Sequence, residues 1–107
     1  MDMLQELRVH FRQATAVRLG EMTALLDTLE RDLNDAQARY ELARHFHALA
    51  GLGATYGYRK VSDLGDEGEG SMLEIDRGRA ALTGETLARW RQLVEAVEVE
   101  LRDDGLC

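Results

Sequence analysis

Residues 34–57 read NDAQARYELARHFHALAGLGATYG, and the spacing within them decides the fold. Leu42, Phe46, Leu49, Gly53 and Tyr56 recur at steps of three and four, which places them on one face of an α-helix. Asn34 suits the cap position, Asp35 falls in the first turn at the positive end of the helix dipole, and Gln37 can reach back in a capping-box arrangement. Gly57 is a natural stop. The pattern therefore predicts an amphipathic helix of about six turns.

His47 lies roughly 140° around this helix from the centre of the apolar stripe, so it is expected to face solvent. Its neighbours on that face are Ala43, Ala50, Gly51 and Ala54, all small, although the chain has many long charged residues to place on a surface. A bare patch of this kind admits another protein's backbone, and Gly51 weakens the helix for no internal reason that the sequence shows. A neutral imidazole, with an ordinary pKa near ~6.5, offers a nitrogen lone pair for capturing a phosphoryl group. Arg44 on the flank of the face and Lys60 just beyond the helix could steady a phosphate, although both are also ordinary solvated cations.

The flanking segments repeat the helical spacing. Leu4, Leu7, Phe11, Ala14, Met22, Leu25, Leu29 and Leu33 mark a first helix, with Gly20 a place for a bend or for the end of a short leading segment. Tyr58, Val61, Leu64, Met72 and Ile75 mark a third, weakened by Gly65, Gly68 and Gly70 at about 1 kcal/mol each relative to alanine. After a turn at Asp76, Arg77 and Gly78, the Thr83 hydroxyl can cap a fourth helix with Glu85 in its first turn. Its stripe is Leu87, Trp90, Val94, Val97 and Leu101, and Asp103, Asp104 and Gly105 end the pattern. Four amphipathic helices with short connections predict an all-α antiparallel four-helix bundle occupying residues 1–107 as one domain.

Composition narrows the function classes. The chain has 107 residues, 45% hydrophobic and 31% charged with no proline, as befits a folded helical domain. Its formal charge of −7 argues against nucleic acid, which calls for a clustered basic face. No apolar run nears the ~20 residues that span a bilayer, and Met1-Asp2-Met3-Leu4-Gln5-Glu6 lacks the pattern of a secretory signal. A cytoplasmic protein without a membrane partner is expected. Cys107, the single cysteine, cannot close an internal disulfide.

The run His47-Ala48-Leu49-Ala50-Gly51-Leu52-Gly53-Ala54-Thr55-Tyr56-Gly57-Tyr58 resembles the signature of histidine-containing phosphotransfer (HPt) domains, which reads H-x-L-K/A-G, five variable residues, then G and often an aromatic. His47 matches the phosphorylated histidine, Leu49 the core leucine, Gly51 the close-approach glycine and Gly57 the helix-ending glycine; Glu69 falls where the family often has a glutamate. The resemblance implies a four-helix bundle in a two-component phosphorelay, exchanging phosphate with the aspartate of a response-regulator receiver domain or a hybrid histidine kinase, with no kinase activity or bound cofactor of its own and with Mg held by the partner receiver. Two departures stand out. Ala50 occupies a position where many members carry lysine, and Gly65 and Gly68 replace alanine and a larger apolar residue, so the third helix is expected to be loose or broken. The alternative is a degenerate HPt-like module that docks on receivers or kinases without transfer.

Other patterns lead nowhere. A dinucleotide-binding reading of Gly51, Gly53 and Gly57 would need its third glycine at Tyr56, after a strand. His45 and His47 are ~200° apart on a helix, as are Glu67 and Glu69, so neither pair converges on an ion or a proton. His10 reads as a surface residue, and Met22, Met72 and Trp90 as core.

Overall fold

A computed structural model describes residues 2–103 of the chain. It contains four helices, α1 (Met3–Arg31), α2 (Ala36–Thr55), α3 (Arg59–Asp76) and α4 (Gly84–Asp103), and no strand among the described residues. Each packs on its neighbours in sequence and α4 returns to α1, closing a four-membered ring in a rod of 46 × 22 × 20 Å. This is the expected four-helix bundle. No described helix is long and apolar enough to cross a membrane. The expectations for Asp104, Gly105 and Cys107 lie outside the described residues.

The helix boundaries follow from local chemistry. α1 starts at a full capping box, in which the Asp2 carboxylate accepts from the Gln5 amide and the Gln5 side chain accepts from that of Asp2. It runs through Gly20 without interruption, so the sequence-based option of a break there is not taken. α2 is capped by Asp35, not Asn34: the Asp35 carboxylate accepts from the Ala38 amide, and Gln37 bonds forward to Glu41 instead of back. At its end Gly57 adopts φ 83°, with the Tyr58 amide bonded to Gly53 O at 2.8 Å. This is a Schellman turn that a side chain would strain. A second such turn at Gly78, φ 74°, ends α3, and the Thr83 hydroxyl accepts from the Thr86 amide to open α4.

The core forms where the stripes meet. Leu42, Phe46, Leu49, Leu87, Trp90 and Val97 are buried as the spacing predicts, and each large side chain so removed from water stabilises the bundle by on the order of 1.5–3 kcal/mol. The Trp90 indole donates to the Ser71 hydroxyl at 3.1 Å, and its ring tilts against Phe46. The first helix departs from expectation: Leu4, Leu7 and Ala14 are exposed, while Leu19 and Leu26 join the core. α1 has 29 residues against 20 in α2 and α4, so its leading end outruns its neighbours. Phe11 marks where contact begins, stacked on Tyr58 and tilted on Tyr56, with the Arg8 guanidinium donating to Tyr56 O.

The third helix corrects the sequence reading most sharply. α3 is continuous from Arg59 to Asp76, and its glycines are where α2 lies against it. A Cβ on Gly65 would sit 2.5 Å from Ala50 N and 2.8 Å from Phe46 O, and one on Gly68 would enter the Phe46 ring. Gly53 mirrors them from α2, with Ser62 N at 2.7 Å from its absent Cβ. The missing side chains are the packing.

Candidate functional site

His47 projects from the twelfth position of α2 with its side chain 76% exposed. Its Nδ1 lies 2.6 Å from Oε2 of Glu69 on α3. That contact is a product of the glycine seam. Gly68 precedes Glu69 and rests on Phe46, which precedes His47, so the two backbones come close enough for two short side chains to bridge them. The Ser62 hydroxyl, donating to Ala50 O at 2.7 Å, ties the same seam one turn further on. A carboxylate can only accept, so the bond places the ring proton on Nδ1 and leaves the lone pair on Nε2, directed away from Glu69.

Around this ring the surface is low. Gly51 and Ala54 are exposed and Ala50 is half-buried, and a Cβ added to Gly51 would meet nothing within 4 Å. Arg44 stands one turn before His47, its guanidinium over the Tyr40 ring at 6.0 Å from the centroid. Lys60 is not drawn into this group. It is exposed at the start of α3, nine residues before Glu69 and thus ~13 Å away along the helix.

Glu67 and His45, the ionisable residues two positions from Glu69 and His47, are engaged with other helices. Glu67 receives two hydrogen bonds from the Arg89 guanidinium, at 2.6 and 2.7 Å, which hold its carboxyl below the usual range and tie α3 to α4. His45 faces α1: Arg18 Nη1 is 2.8 Å from its Nδ1, and its Nε2 is 3.3 Å from Glu21. A guanidinium can only donate, so His45 is held neutral; burial foremost, and then Arg18, pushes the imidazole below its ordinary value. The two histidines thus occupy opposite sides of α2. Among the described residues no group of three or more His, Cys, Asp or Glu side chains is arranged to hold a metal ion.

The family model of the Hpt domain matches residues 3–100, nearly the whole chain. The chain belongs to the Hpt domain family. Comparison with curated proteins and with solved structures returned no match. Membership ties this Hpt domain to histidine phosphotransfer in phosphorelays, and the geometry brings out two features that spacing alone left unexplained. One is Glu69, whose contact with His47 no periodicity in the sequence could reveal. The other is the trio Gly53, Gly65 and Gly68, which propensity alone scores as defects.

Proposed function

We propose that this Hpt domain carries a phosphoryl group on Nε2 of His47 and exchanges it, in the cytoplasm, with the aspartate of a response-regulator receiver domain or a hybrid histidine kinase. The observation that carries the reading is the imidazole, 76% exposed, whose Nδ1 is held by Glu69 while no side chain grows from Gly51 one turn on. The Nε2 lone pair attacks the phosphorus of the aspartyl phosphate, an N–P bond forms, and the P–O bond breaks with its electron pair leaving on the aspartyl carboxylate. The ring keeps its proton on Nδ1 throughout and so becomes cationic as the bond forms. Glu69 at 2.6 Å offsets that charge, and the reverse step releases it. The Mg that neutralises the transferring group would belong to the acidic pocket of the receiver. In this reading Arg44, one turn before His47, meets the incoming phosphate, whereas Lys60 meets the edge of the partner.

The second reading, a module that docks without transfer, draws on Ala50, where lysine is frequent in the related pattern. One experiment separates the two. Incubation with a phosphorylated receiver should leave an acid-labile, base-stable label on the domain that is absent in His47→Gln. A wild-type domain that binds the receiver yet acquires no label would establish docking alone, and a label that persists in His47→Gln would move the site elsewhere.

A further inference from the structure

The ground on the two sides of His47 along α2 and α3 is unequal. Toward the end of α2 the exposed positions nearest the face of His47 are Gly51 and Ala54, which offer little to grip, while the exposed Leu52 lies ~140° around the helix from His47. Toward its start stand two large side chains left in water, Tyr40 at 60% exposure and Leu73 at 42%. Tyr40 lies seven residues before His47, hence ~10 Å along the helix and within ~20° of the same face. Leu73 lies four residues after Glu69, ~6 Å along α3. Both fall between two contacts that bridge α2 and α3, His47 to Glu69 and Arg39 to Asp76, and Leu73 lies within ~40° of Glu69 around α3 as Tyr40 does of His47 around α2, so they share one face of the helix pair.

We infer that Tyr40 and Leu73, with Arg44 between Tyr40 and the histidine, form the anchor on which the phosphate-exchanging receiver domain docks, so that its footprint is displaced toward the start of α2. The inference rests on the phosphotransfer reading of His47. Three considerations support it. A protein interface of ordinary size covers ~800 Å² per partner, a disc of roughly 16 Å radius, so a footprint centred on His47 reaches Tyr40, ~10 Å along the helix, and one displaced toward the start of α2 holds both residues well inside its edge. Buried tyrosine and arginine carry a disproportionate share of binding energy at such surfaces. The guanidinium of Arg44 complements the carboxylates that an aspartate acceptor pocket must contain.

The test uses two phosphate donors on the whole chain. Phosphoramidate is a small molecule that needs no docking surface; the second donor is the receiver domain, from a panel charged with acetyl phosphate, that transfers fastest to the wild type. In Tyr40→Ala and Leu73→Ala, phosphoramidate should label His47 at the wild-type rate, whereas the KM for the receiver should rise about tenfold with kcat little changed. An unchanged KM in both variants would overturn the anchor while leaving the phosphotransfer reading intact. Slower labelling by phosphoramidate would also overturn it, since the residues would then be acting on the ring. Failure of the wild type to take phosphate from either donor would defeat the underlying reading itself.

Discussion

The helix that bears His47 has two seams, and they are built in opposite ways. Against α3 it is close, with the backbone of one helix set into the other at Gly53, Gly65 and Gly68. Against α1 it is wider, leaving a cleft of about 580 Å³ whose apolar floor includes Leu25 and Ala48 and whose border carries Arg18, Glu21, Arg44 and His45. Each seam holds one of the two histidines, and the partner it supplies selects which ring nitrogen of a neutral imidazole carries the proton. An acceptor, Glu69, puts the proton of His47 on the inner nitrogen; a donor, Arg18, removes it from the corresponding nitrogen of His45. Two imidazoles two residues apart are thereby given different chemistry, one a candidate nucleophile and the other a neutral fastener between helices.

The comparison breaks most visibly at the close seam. Gly65→Val would drive a side chain into the backbone at Ala50 and Phe46, and should lower the stability to urea by about 3 kcal/mol while removing the bridge between His47 and Glu69. Gly51→Ala, on the open face of the same helix, should raise stability by about 0.5–1 kcal/mol, since its new methyl group meets nothing. Equal effects of the two changes would mean that α2 and α3 are not in the contact described. Glu69→Gln keeps an acceptor beside Nδ1 but removes the charge that offsets the cationic ring, so phosphate transfer should slow about tenfold with the fold unaltered. A transfer rate equal to wild type would reduce Glu69 to a surface contact.

The wide seam predicts a smaller, pH-dependent effect. The folded-state pKa of His45 lies below its ordinary value of 6.5, so the unfolded chain binds that proton more readily. The stabilising contribution is complete above that value and is lost as the pH falls from it through the folded-state pKa. The groups that face the ring are Arg18 and Arg44, which oppose its charge, and Glu21 and Glu41, which favour it. Urea midpoints measured from about pH 7.5 down to about pH 5 should therefore fall more steeply in the wild type than in His45→Gln. Parallel curves would show that the imidazole titrates alike folded and unfolded.

These differences also explain which parts of the molecule could be read from the sequence. The α2 stripe was legible because a helix held on one side by the core obeys a simple period, and the same period exposed His47. The α1 stripe was only half legible. Leu4 and Leu7 continue the spacing beyond the point where any neighbour remains to cover them, and period cannot tell where a neighbour stops. The α3 glycines were misread for a deeper reason: helix propensity describes a helix alone in water, whereas Gly65 and Gly68 act through a second helix that the local sequence does not mention. Of the site, Arg44, Ala50, Gly51 and Ala54 share α2 with His47 and could be placed from helical geometry. Glu69, 22 residues away, could not; it was visible only through the family resemblance.

Trp90, the single tryptophan of the chain, is fully buried with its ring centroid 6.0 Å from that of Phe46, the residue immediately before His47. Indole emission responds to the polarity and packing around the ring, so the domain contains its own optical gauge directly behind His47. Movement of α2 relative to α4 on phosphorylation or docking would register in that signal without any label attached to the face proposed for the partner.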